Sequence, residues 1–141
     1  MQTITGPATL LPAAASEFGA ATDPATGDIY VYAAGPSVGP RVLVFALNAS
    51  GNVAPKRVLT VPDATGWGGA PGAGGSNVLA VDDRGQLYLG LRTNVVVQVY
   101  AAGASGNAAP VRAITDASAP TTDQGFPNLQ PTSVAIRTSI H

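Results

Sequence analysis

Cysteine is absent from this chain of 141 residues. No disulfide, thiolate metal site or cysteine nucleophile can therefore be built from it. Histidine occurs once, as His141, and offers no second imidazole for a His-rich metal site or a histidine-based triad within one chain. Charge is scarce as well. Lys, Arg, Asp and Glu make up 11% of residues and the formal net charge is −1. That balance provides no basic footprint for nucleic acid and none for an anionic membrane surface. No apolar run reaches the roughly 18 residues of a transmembrane helix, so no membrane insertion is expected. The first six residues lack the charged and apolar regions of a signal peptide. The chain is expected to be cytoplasmic, or a mature or excised part of an exported protein. Its Ala/Gly/Thr-rich, lysine-poor composition tilts the expectation towards an extracytoplasmic setting.

Turn-forming and apolar residues are abundant: 17 Gly, 12 Pro and 45% hydrophobic residues. The length fits one domain, and the clustered Gly and Pro point to many short elements. The chain is organised around a repeat. Ala104-Ser105-Gly106-Asn107-Ala108-Ala109-Pro110-Val111-Arg112-Ala113-Ile114-Thr115 matches Ala49-Ser50-Gly51-Asn52-Val53-Ala54-Pro55-Lys56-Arg57-Val58-Leu59-Thr60 at eight of twelve positions, with an offset of 55 residues. Three of the four differences exchange one apolar residue for another. Such a match at a fixed period signals a repeat architecture.

Each unit reads as four short strands. In the first, residues 19–23, 28–32, 41–46 and 56–60 carry β-branched and aromatic side chains between turn signals. In the second, residues 77–81, 86–89, 95–101 and 111–115 repeat the plan. Residues 1–5 align with the fourth strand at twice the period, and residues 133–137 align with the first. Ala13-Ala14-Ala15 has room for little more than one helical turn between Pro12 and Gly19. Tyr30 and Tyr88 are 58 apart, so three extra residues lie in the first unit before Phe45, and the Gly/Pro loop 33–40 is where they are expected. The inner strands are nearly continuous apolar runs, which suits strands covered on both faces.

Four-stranded units of this period packed face to face around an axis are β-propeller blades. Leucine-rich and β-helix repeats are shorter, and a plain sandwich does not explain the internal identity. The predicted fold is thus all-β: blade units 19–60 and 77–115, four-stranded and antiparallel, with 1–5 and 133–137 as strands of incomplete blades. The blade pattern is carried by Ala80, Asp82, Gly85, Leu87, Tyr88, Val97, Val99 and Tyr100 with residues 104–115, and by Asp23, Gly27, Ile29, Tyr30, Val42, Val44 and Phe45 with residues 49–60. It resembles the NHL-like repeats of bacterial propeller proteins, over most of the chain. The resemblance implies a propeller fold and a scaffold or binding role, and hardly any particular activity.

The sequence departs from that family in blade number. Two complete blades do not close a ring, which takes about four to eight. The expected partners are therefore further blades of a longer chain or other copies of this one, with terminal strands donated to a neighbour's sheet.

The repeated Asn52/Asn107, Pro55/Pro110 and Arg57/Arg112 read as structural. Ser-Gly-Asn suits a hairpin turn with Asn in left-handed geometry, Pro suits the start of an edge strand, and Arg is placed along that edge. Asp82-Asp83-Arg84-Gly85 lacks the later carboxylates of a calcium loop and reads as a hairpin turn. Ligand contacts are expected instead among residues that do not repeat, on the connecting loops: Asp63, Trp67, Arg92 and Phe126. Trp67 amid glycines suits stacking on a sugar or aromatic ring; its alternative is packing between blades. With one His and eight carboxylates, mostly in turns, no catalytic set assembles. The functional expectation is a non-enzymatic module contacting protein or glycan through its loop face, without a cofactor. The alternatives are a self-assembling propeller or filament subunit, and a segment of a propeller lyase or hydrolase.

Overall fold

The computed structural model describes residues 1–13, 17–35, 38–61, 78–91 and 96–115. It is all-β, as predicted, apart from one 3-10 turn at Pro7–Thr9. Eight strands form two four-stranded antiparallel sheets. The first sheet is β1 (Glu17–Thr22), β2 (Ile29–Gly35), β3 (Val38–Phe45) and β4 (Arg57–Thr60). The second is β5 (Val78–Val81), β6 (Leu87–Leu91), β7 (Val96–Tyr100) and β8 (Arg112–Thr115). In each sheet the strands lie side by side in chain order. Residues 133–137, expected as a further strand, and the alanines at 14 and 15 lie outside the described residues.

Register decides which residues share a face. Tyr30 pairs with Val44 and Val44 with Arg57, while Tyr32 pairs with Val42 and Val42 with Leu59. These side chains line one face of the first sheet, because side chains alternate along each strand. In the second sheet, Leu79 pairs with Leu89, Val81 with Leu87, and Leu87 with Tyr100. The two sets join in one hydrophobic cluster between the sheets, with Tyr32, Val42, Leu89 and Tyr100 fully buried. Leu43 and Phe45 are also buried, on the opposite face of β3. The apolar run in residues 42–45 is thus covered on both sides, which is why it does not alternate.

The loop expected at residues 33–40 is different in the structure. β2 runs on through Ala33 and Ala34, and β3 begins at Val38. The register shifts between Ala33, opposite Arg41, and Gly35, opposite Val38. The extra residues of the first unit therefore lengthen a bulged hairpin instead of looping out. Ala33 and Ala34 are buried there, and their burial outweighs the turn-like Gly and Pro around them.

Residues 1–5 form no full strand. Their pairing is a single parallel bridge between Ile4 and Gly51. The same bridge recurs one unit later, between Leu59 and Gly106. Both members are displaced by 55 residues, the period of the repeat.

Candidate functional site: the seam between the sheets

Three chain segments build the seam. The first is the Ala-Ser-Gly-Asn turn that follows the third strand of each unit. Gly51 and Gly106 adopt φ of +72° and +60°. That left-handed geometry is open to glycine at little cost. It turns the backbone outward to grip another unit's strand. The Gly106 N–H donates to the Val58 carbonyl at 2.7 Å, and the Thr60 N–H donates to the Gly106 carbonyl at 2.7 Å. One unit earlier, the Gly51 N–H donates to the Thr3 carbonyl at 2.6 Å, and the Thr5 N–H donates to the Gly51 carbonyl at 3.0 Å. The expected hairpin connection holds, since β3 pairs with β4 and β7 with β8 antiparallel, but the left-handed Asn is corrected. Glycine carries the positive φ, and the turn serves the neighbouring unit. Asn52 instead ties the turn to the segment before β1, where its Oδ1 accepts the Ala8 N–H at 2.8 Å.

The second segment is the turn between the first and second strands of each unit. Asp23 Oδ1 accepts the N–H groups of Ala25 and Thr26 at 2.8 and 3.3 Å. Asp82 Oδ1 accepts those of Arg84 and Gln86 at 3.0 and 2.8 Å. Each aspartate thus satisfies the donors of its own tight turn, the arrangement that favours Asp in such positions. The two turns also approach each other: a Cβ on Gly85 would lie 3.8 Å from Asp23 Oδ2 and 3.4 Å from the Ala102 Cβ.

The third segment supplies Arg57 and Arg112. The sequence placed them along a strand edge. Both do stand on the outermost strands, β4 and β8, and the register also lays Arg57 across β3 towards Tyr30, two strands away. Its Nη2 donates to the Tyr30 hydroxyl at 2.9 Å, with the guanidinium carbon 5.9 Å from the ring centroid. That distance falls within the range of a cation–π contact. Arg112 repeats the reach, its Nη2 lying 3.4 Å from the Tyr88 hydroxyl, which in turn donates to Asp82 Oδ2 at 3.3 Å. Lys56 adds an ion pair to the buried Asp28 carboxylate at 2.6 Å.

The two Asp–Tyr–Arg sets are alike in composition and differ in cover. Tyr30 is 5% exposed beneath the second sheet, whereas Tyr88 is half-buried and Arg112 exposed. Burial raises the Tyr30 hydroxyl pKa; the nearby Arg57 charge opposes this, and Asp23 and Asp28 reinforce it. Tyr30 is therefore a neutral hydrogen-bonding group at neutral pH. Burial pushes the Asp23 carboxyl upward too, but the Ala25 and Thr26 donors and the Arg57 charge outweigh it and lower its pKa below 3.8. A carboxyl depressed in the fold stabilises it above the unfolded value, and that contribution disappears as pH falls through the folded value. Between pH 5 and pH 3 the melting temperature should fall. Asp23→Asn, which keeps an acceptor oxygen and loses the charge, should flatten that fall. Melting curves of both proteins across this range check it; identical pH profiles would remove Asp23 from the account.

Between the sheets, Tyr30, Val44, Arg57 and Leu59 face Leu87 and Ala104 across a shallow gap. The free space there is about water-sized, too little among the described residues for a small molecule. Among the described residues, no three His, Asp or Glu side chains converge as metal ligands would. No helix among them is long and apolar enough to cross a membrane. Asp63, Trp67, Arg92 and Phe126 lie outside the described residues. What the structure brings together is thus a joint between repeating units. The sequence signal for it was the Ser-Gly-Asn repeat itself. No family model, curated protein or solved structure matches the chain.

Proposed function

We propose that the chain is a non-enzymatic scaffold and binding module of NHL-like β-propeller blades, contacting protein or glycan through its loop face. The observation that carries the scaffold role is the recurring turn-to-strand joint, Ile4 with Gly51 and Leu59 with Gly106. A pairing that recurs at the repeat period, once between the two sheets and once with the segment at Ile4, supports units joined in one geometry, which is what a propeller or other repeat array requires. The Asp–Tyr–Arg sets support the same reading, since their hydrogen bonds go to turns of their own sheet and, for Tyr30 and Arg57, lie in the seam. Ligand contact then falls to the loop residues, with Trp67 to stack on the ligand and Asp63, Arg92 and Phe126 as further contacts.

Trp67 is the single tryptophan, so emission excited at 295 nm reports on that loop alone. Titration with neutral gluco-, manno- and galacto-oligosaccharides should give a saturable emission change for at least one series. Arg92→Ala should weaken it while the far-ultraviolet circular dichroism stays the same. No saturable response to any of them removes the glycan half of the proposal. A second reading, self-assembly, is favoured by one observation: Ile114, the counterpart of buried Leu59, is 52% exposed.

A further inference from the structure

Among the described residues, strand β8 is the outermost of the second sheet and lacks the cover that β4 has. Leu59 on β4 is 2% exposed, held beneath the turn at Gly106. Ile114, at the same position one period later, is 52% exposed, and all of β8 is exposed. The backbone groups that would receive a turn are in place. Thr60 lies opposite Arg41, and Thr115 lies opposite Val96 in the same register. The Thr115 N–H and Ala113 carbonyl therefore face outward, as the Thr60 N–H and Val58 carbonyl do towards Gly106. Among the described residues, neither is paired outside its own sheet. The Tyr88–Arg112 pair is uncovered on the same side.

The structure also shows what fits such an edge. Both joints use the same four residues, Ala-Ser-Gly-Asn, at 49–52 and 104–107. The turn at 104–107 is committed to β4. The turn at 49–52 is held by residues 3–5, and residues 1–3 and 5–8 are exposed. We propose that β8 docks the 49–52 turn of a second copy of this chain, in exchange for that copy's own residues 3–5. Residues 1–5 then hold the place that the fourth strand of another unit would take, and act as a plug on the 49–52 turn. Displacing the plug frees the 49–52 turn for β8 of another copy, and the copies join head to tail. This inference rests on the scaffold reading and adds the partner and its site.

The test is sedimentation velocity of the full chain over a wide concentration range. Thr5→Pro deletes the N–H that the plug gives to Gly51 and keeps residue 4 extended. Thr115→Pro deletes the donor that the incoming turn needs. The wild type should associate reversibly as concentration rises. Thr5→Pro should associate at about tenfold lower concentration, the scale of one lost hydrogen bond in the competing plug. Thr115→Pro should stay monomeric. Ile114→Asp, at an exposed site, should stay monomeric too, and it decides the matter if Thr115→Pro disturbs the sheet. The proposal is overturned if wild type and Thr5→Pro are both monomeric at the highest soluble concentration. It is equally overturned if association persists in Ile114→Asp. The oligosaccharide titration of Trp67, run on monomeric Ile114→Asp, keeps the two claims apart: a retained response leaves the binding module standing even where docking fails.

Discussion

Leu59→Ala should lower the unfolding free energy by about 2–5 kcal/mol, whereas Ile114→Ala should change it by less than about 0.5 kcal/mol. The two residues hold the same place in the repeat, 55 positions apart. A comparison of sequence alone treats them as equivalent. Their surroundings differ: Leu59 is 2% exposed between the sheets beside Tyr30 and Val44, and Ile114 is 52% exposed. Truncating a buried leucine removes its transfer free energy and leaves a cavity that close-packed neighbours fill only in part. Truncating an exposed isoleucine leaves no cavity. Urea unfolding of the two variants, in dilute solution, measures the contrast. Equal losses would mean that β8 is covered as β4 is, and the open end would not exist.

Tyr100→Phe should cost about 1–3 kcal/mol, and adding Gln98→Leu should recover most of that loss. The Tyr100 hydroxyl donates to Gln98 Oε1 at 2.6 Å, with both residues buried on the second sheet's face towards the first. Removing the hydroxyl alone takes a donor from a buried amide oxygen. Leaving a buried acceptor short of a partner costs more than a hydrogen bond gains. The first unit shows the apolar alternative at the same two places, Leu43 and Phe45, both buried. The double variant copies that pair into the second unit. A double-mutant cycle by thermal melting and urea unfolding gives the coupling between the two sites. A double variant no more stable than Tyr100→Phe would show that the two units do not share one packing scheme.

Much of the fold was legible because the repeat doubles each signal. The turn aspartates Asp23 and Asp82 sit before Gly27 and Gly85, and the runs at Val42 and Val97 are flanked by turn residues in both units. Strand order followed from short connections. Other features were not legible, each for a physical reason. Ala33 to Gly35 looks like loop by composition, yet the hairpin partner across the bulge makes it strand. Arg57 does lie on the edge strand β4, but its reach to Tyr30 was not legible, because it depends on a register spanning three strands and not on its neighbours in sequence. The joint at Gly51 and Gly106 is a backbone pairing between units. The sequence marked it as repeated without saying what the turn touches. The loop residues Asp63, Trp67, Arg92 and Phe126 belong to segments outside the described sheets, so their reading still rests on residue type.

The central claim is that equivalent units are joined by one turn-to-strand pairing and that β8, among the described residues, has no such partner. Amide hydrogen exchange followed residue by residue in dilute solution tests it directly. Thr60 and Gly106 donate across the joint at 2.7 Å each, so their N–H groups should exchange slowly, near the rate set by global unfolding. Thr115, the counterpart of Thr60 on exposed β8, should exchange orders of magnitude faster. Equal protection at Thr60 and Thr115, or fast exchange at Gly106, would contradict the account.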